Sequence, residues 1–243
     1  GIEVDDEPEP VQEPVPPATR PPIRLTKGEE QLPGDMRERL SLRKEAVANV
    51  MFVKGIGDQR ARVILVLEAS GSMYELYPAI MSNSVERVVA VAAQLDDDGS
   101  MEAWRFASRS QQLPMLELGE LPHWLEHCVL LGEAESKATR RGLGRRSKPA
   151  YPQLEKVGVR NEEHKVLRDI REFVRSNPVP DPTLVLFFSD GGIYQDAKIE
   201  KHLIGSQEEP IFWQFIGLGT EEDYGVLERF DTLPGRTIDN VGF

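Results

Sequence analysis

Cysteine is almost absent from this chain: Cys128 stands alone among 243 residues. No intramolecular disulfide can form, and no Cys/His cluster of the kind that holds structural zinc is available. A reducing compartment, the cytoplasm, fits that usage. Long apolar runs are also missing. Nothing approaches the roughly 20 residues of a membrane-spanning helix, and the acidic, proline-rich start is the reverse of a secretory signal. Basic residues are in the minority, with 29 Lys and Arg against 41 Asp and Glu and a formal net charge of -12. Sequence-independent nucleic-acid binding is disfavoured, because phosphate contacts need clustered cations. Residues 137–148 hold one basic cluster, Lys137, Arg140, Arg141, Arg145, Arg146 and Lys148. Charge runs are usually solvated loop, and no aromatic residue alternates with these charges to stack a base.

The usual catalytic signatures are missing too. Gly217-Leu218-Gly219 follows an apolar run, but the third glycine of a dinucleotide fingerprint is replaced by Glu222, an acid where pyrophosphate would approach. There is no Walker pattern. Ser70 and Ser72 are not in a G-x-S-x-G elbow, since position 68 is Glu. His123, His127, His164 and His202 have no partner group suggestive of a triad. Cys128, beside Trp124 and Leu131, reads as a small buried hydrophobe. The chain is expected not to be an enzyme.

What is present is organised. Residues 1–34 combine acidic and proline-rich stretches such as Asp5-Asp6-Glu7-Pro8-Glu9-Pro10 with few apolar anchors. They are expected to form a disordered linker. The first residue is Gly1, not Met, so the chain reads as a piece of a longer protein with a domain upstream. Residues 35–243 read as one domain, with a variable basic loop at about 133–160. Helical periodicity is expected over 35–53, through Leu40, Val47, Val50 and Met51, and over 77–95, 121–131, 162–175, 195–203 and 223–230. Apolar runs at 61–67, 101–106, 183–188 and 211–216 read as strands, with shorter ones near 112–116 and 236–241. Strands alternating with helices predict an α/β fold. Its sheet should be doubly wound and mostly parallel, with helices on both faces.

Two of these strands end in oxygen donors. The run at 63–67 passes into Glu68-Ala69-Ser70-Gly71-Ser72, and the run at 183–188 into Ser189-Asp190-Gly191-Gly192. Ligands of open α/β sheets bind outside the carboxyl ends of the strands. Carboxylate and hydroxyl oxygens suit a hard cation, Mg²⁺ or else Mn²⁺ or Ca²⁺.

The acid-x-Ser-Gly-Ser turn resembles the metal-ion-dependent adhesion site of von Willebrand factor A (vWA) domains. Ser189-Asp190-Gly191 resembles the segment carrying that family's last acid. Within such domains, four phrases resemble the bacterial tellurium-resistance and stress-response group: Leu40-Ser41-Leu42-Arg43-Lys44, Leu95-Asp96-Asp97-Asp98-Gly99, residues 210–217 and Asp231-Thr232-Leu233-Pro234-Gly235-Arg236. The resemblance implies a Rossmann-like vWA fold and an upstream TerD-like domain. It also implies a protein-interaction module whose cation is completed by a partner's acidic side chain. Carried over, the ligands are Glu68, Ser70, Ser72 and Asp190. Two departures stand out. The family's first residue is Asp, and here it is Glu68. The family's threonine has no counterpart in Gly158-Val159-Arg160-Asn161-Glu162-Glu163. Asn161 offers an amide oxygen in its place, and Arg160 offers a charge that could pair with Glu68 or Asp190. Two other readings stay open: a metal-dependent phosphate-handling enzyme, and a metal-independent scaffold whose site has degenerated.

Overall fold

The computed structural model describes residues 23–75, 79–129, 151–218 and 224–243. In chain order the elements are α1 (Gly34–Val53), β1 (Arg62–Glu68), α2 (Ala79–Leu95), β2 (Ser100–Phe106), β3 (Ser110–Gln112), β4 (Leu116–Glu117) and α3 (Leu121–Cys128). Then follow α4 (Glu163–Ser176), β5 (Thr183–Ser189), α5 (Asp196–Gly205), β6 (Ile211–Gly217), α6 (Gly225–Asp231) and β7 (Val241–Gly242). The sheet runs β3-β2-β1-β5-β6-β7, with β4 also on β2. The pairs β1–β2, β1–β5, β5–β6 and β6–β7 are parallel, whereas β3 and β4 pair antiparallel. The expected doubly wound, mostly parallel sheet is what forms.

Every residue of β1 is buried, as a central parallel strand covered on both faces requires. Successive side chains point to opposite faces. Val63, Leu65 and Leu67 join the layer of Met81, Val85 and Val88 of α2 and Trp124 of α3. Ile64 and Val66 join Val166, Leu167 and Ile170 of α4, with Trp213 and Phe230. From β1 the chain steps outward to β2 on one side and later returns to β5 on the other. That reversal opens a crevice at the carboxyl ends of β1 and β5, the switch point at which such sheets bind ligands.

Three expectations change. Residues 23–33 of the expected linker pack against the domain, with Thr26 and Leu32 buried; residues 1–22 lie outside the described residues. The cause is Lys44. The inward stripe of α1 is Leu40, Lys44, Ala48 and Met51, whereas Val50 is 59% exposed. The Lys44 ammonium is fully buried and donates to Thr26 Oγ1 at 3.1 Å, to Glu29 Oε2 at 2.8 Å and to the Arg24 carbonyl. An acceptor-rich strap therefore folds over a lysine that periodicity alone places in the core. Secondly, the strand expected at 112–116 is split into β3 and β4. Pro114 lies between them and has no N–H to donate to a ladder. Thirdly, the final strand is only Val241–Gly242, because Arg236 holds the preceding turn by bonds to the Asp231 and Leu233 carbonyls and to Asn240 Oδ1. The basic residues 137–148 lie outside the described residues, as do the bulk of the expected variable loop and the Gly219–Glu222 stretch.

Candidate functional site

β1 delivers Glu68 to the crevice, and the chain then leaves the sheet in a short 3-10 turn, Gly71–Glu75. Glu68 is fully buried. Its Oε1 accepts the Ser70 hydroxyl at 2.5 Å, and its Oε2 accepts the backbone N–H of Asp190 at 3.1 Å. The Ser189 side chain also hydrogen-bonds to Glu68. Ser70 Oγ lies 2.9 Å from Ser72 Oγ. The extra methylene that separates Glu from Asp is thus used: the carboxylate reaches across from the end of β1 to the end of β5.

The β5 end is shaped by glycine. Gly191 has φ 90°, a left-handed conformation that suits glycine. Its N–H donates to Ser189 Oγ, while the Gly192 N–H donates to Asp190 Oδ1 at 3.0 Å. Asn161 Nδ2 donates to the Gly192 carbonyl at 2.9 Å. A Cβ at position 192 would lie 3.2 Å from Asp190 Oδ1 and 3.3 Å from Asn161 Nδ2. Asp190 and Asn161 therefore flank one point, and the absence of a side chain there lets them approach.

The third edge is the loop before α4. The Val159 carbonyl accepts the Gly71 N–H at 3.1 Å, and Ser108 Oγ accepts the backbone N–H groups of Val159 and Arg160. The Arg160 side chain is exposed and, among the described residues, pairs with neither Glu68 nor Asp190. The ion pair considered for it does not form.

All five sequence-derived positions, Glu68, Ser70, Ser72, Asp190 and Asn161, therefore border one crevice. Tyr74 lies on the same turn, and its side chain is outside the described ones. Among the described residues, no three His, Cys, Asp or Glu side chains are gathered at metal-ligand spacing. The donors already together are two acids and two hydroxyls. Burial, with the charge of Asp190 added, pushes the Glu68 carboxyl up to about 6.

One neighbour escaped the sequence reading. Glu163, the first residue of α4, is fully buried, and among the described residues neither of its carboxylate oxygens has a hydrogen-bond partner. Burial pushes it up to about 8, with the charges of Glu68 and Asp190 adding to the effect. An acid in the first turn normally reads as a solvated complement to the helix dipole. The overlooked signal was spacing: Glu163 continues the buried stripe of Val166, Leu167, Ile170 and Val174 by one turn.

A family model described as the vWA domain found in the TerF C terminus matches residues 60–243. The uncharacterized protein YcbR of Bacillus subtilis (strain 168) is 32% identical over 206 residues, which span 84% of this chain and 75% of that protein. Among solved structures, manganese-loaded Plasmodium vivax TRAP protein aligns with a TM-score of 0.48 at 14% identity, covering 75% of this chain and 67% of that one. Proximal thread matrix protein 1 from the mussel byssus aligns with a TM-score of 0.44 at 14% identity, covering 76% and 44%.

Proposed function

The chain belongs to the family of vWA domains found at the TerF C terminus, and from that premise we propose that it is a protein-interaction module that docks its partner through a divalent cation. The observation that supports this reading is convergence. The ends of β1 and β5 bring Glu68, Ser70, Ser72 and Asp190 together at the switch point of the sheet. The donor set is oxygen only, which suits Mg²⁺, Mn²⁺ or Ca²⁺. The charge of Asp190 adds to the cost of ionising buried Glu68, and a cation relieves such a cost. Glu68, Ser70, Ser72 and Asp190 would hold the ion, with Asn161 contributing its amide oxygen. When bound, the ion supplies a positive centre for an acidic side chain of the partner protein. The residues of this chain position that centre and shield it on the sheet side; no bond is made or broken. The family's name supports placing the module in a bacterial tellurium-resistance or stress-response complex, and its single cysteine suits the cytoplasm. No helix among the described residues is long and apolar enough to cross a membrane.

A thermal melt of the full chain in EDTA, Mg²⁺, Mn²⁺ and Ca²⁺ tests the reading. A cation that binds only the folded state at about 100 times its Kd adds about 2.7 kcal/mol. The parent should melt higher with at least one cation, and Asp190→Ala should lose the rise. No shift with any cation would reduce the domain to a metal-independent scaffold.

A further inference from the structure

The orphaned carboxylate of Glu163 needs an explanation. Burying a polar group without a hydrogen bond is costly, and for an ionised one the cost is higher still. Native structures leave few such groups, and each has a reason. The side chain continues the apolar stripe of α4, where a residue such as Met would pack without that penalty. Replacing a buried charge with a well-packed apolar group is often stabilising. Nor do the other side chains around Glu163 supply a donor: both oxygens lack a partner among the described residues.

The surroundings point to a ligand that is not part of the protein. Glu68 and Asp190 lie close enough for their charges to act on Glu163. Two residues earlier, Asn161 is tied to Gly192, beside Asp190. The start of α4 is anchored to the rest of the site by the bonds of Val159 to Gly71 and of Glu162 to Ala107. Carboxylates accept hydrogen bonds but donate none when ionised, and a hard divalent cation satisfies such oxygens.

We propose that Glu163 is a further carboxylate ligand of the cation held by Glu68, Ser70, Ser72 and Asp190, taking the place for which the loop before α4 offers no threonine. The proposal rests on the cation reading above. The three acids are not at ligand spacing as they stand, so ligation requires Glu163 to swing toward Asp190. The orphan carboxylate is then a binding group held ready at a cost in stability.

The test uses the full chain, stripped with EDTA, and Mn²⁺ alone as the probe. Affinity is read by calorimetry, and the water left on bound Mn²⁺ by water-proton relaxation. The variants are Glu163→Gln, Glu163→Met and, as a reference, Asp190→Asn. Glu163→Met keeps the volume, removes both charge and oxygen, and is expected to melt at least as high as the parent in EDTA. The parent should bind Mn²⁺, and both Glu163 variants should bind it roughly tenfold or more weakly. At saturating Mn²⁺, Glu163→Met should show stronger relaxation, because water takes the vacated position. If Asp190→Asn loses Mn²⁺ while both Glu163 variants keep the parent's affinity, the proposal is overturned and the docking site stands. If the parent itself binds no Mn²⁺, the cation reading fails and takes the proposal with it.

Discussion

Glu163→Gln should remove a pH dependence from the stability of the metal-free protein. Glu163 has a carboxyl raised to about 8 in the folded chain, against an ordinary value of 4.5. Between those values the folded state holds a proton that the unfolded state has released. Stability therefore falls as pH rises. The loss begins above the unfolded value and is complete once the folded group has ionised. From pH 6 to pH 8 the slope approaches 1.36 kcal/mol per pH unit at the acid end and halves by the alkaline end, giving about 2 kcal/mol in all. For a chain of this size that is roughly 4–8 °C in melting temperature. Glu68, raised to about 6, acts in the same direction and is half titrated at the start of the window. His164 and His202 are lowered, chiefly by burial, so they hold fewer protons folded than unfolded and raise stability with pH, mainly below 6.5. Both contributions are common to parent and variant and cancel on subtraction. The assay is urea unfolding in EDTA at pH 6, 7 and 8 for the two proteins. The parent should lose about 2 kcal/mol more than the variant across the window. An equal fall in both would refute the assignment of Glu163 as a buried, proton-holding acid.

Other predictions follow from single contacts. Glu68→Asp shortens the side chain that bridges Ser70 Oγ and the Asp190 N–H; equilibrium unfolding in EDTA should show a loss of about 1–2 kcal/mol, and an unchanged midpoint would deny the bridge. Lys44→Met should free the strap at residues 24–32, because it removes the donor shared by Arg24, Thr26 and Glu29. A loss of about 3 kcal/mol and faster proteolysis within the strap are expected, and a strap that resists protease as in the parent would count against the anchor. Gly191→Ala forces a side chain into φ 90° and should lower stability by about 1–2 kcal/mol. A Gly191→Ala protein as stable as the parent in urea would show that the turn relaxes freely.

The fold was legible because its signals are local and redundant. The continuous apolar run of β1, the alternation of strand and helix, and the acid and hydroxyl residues after β1 and β5 each point to an open parallel sheet with a crevice at its carboxyl end. Only strand order, the pairing of β1 with β5, could place Glu68 beside Asp190. Asn161 is legible as an amide oxygen near the position of the missing threonine. Arg160, its neighbour, carries the same local signal but is exposed. The difference lies in the backbone bonds to Ser108 and in the Asn161 bond to Gly192, none of which is a property of the loop sequence.

The layer architecture, the position of the crevice and the oxygen donors beside it can all be read from the residue pattern. Hydrophobic periodicity and strand-end residue types report directly on burial and on donor atoms. Tertiary structure alone decided the roles of the charged residues that lie on apolar stripes. Lys44 and Glu163 sit at equivalent kinds of position, each one helical turn from buried aliphatic side chains. One became the anchor of a strap because three acceptors fold over it. The other has no donor among the described residues and feels the charges of two further acids. A buried charge takes its meaning from the groups brought to it from distant parts of the chain, and no local pattern encodes them.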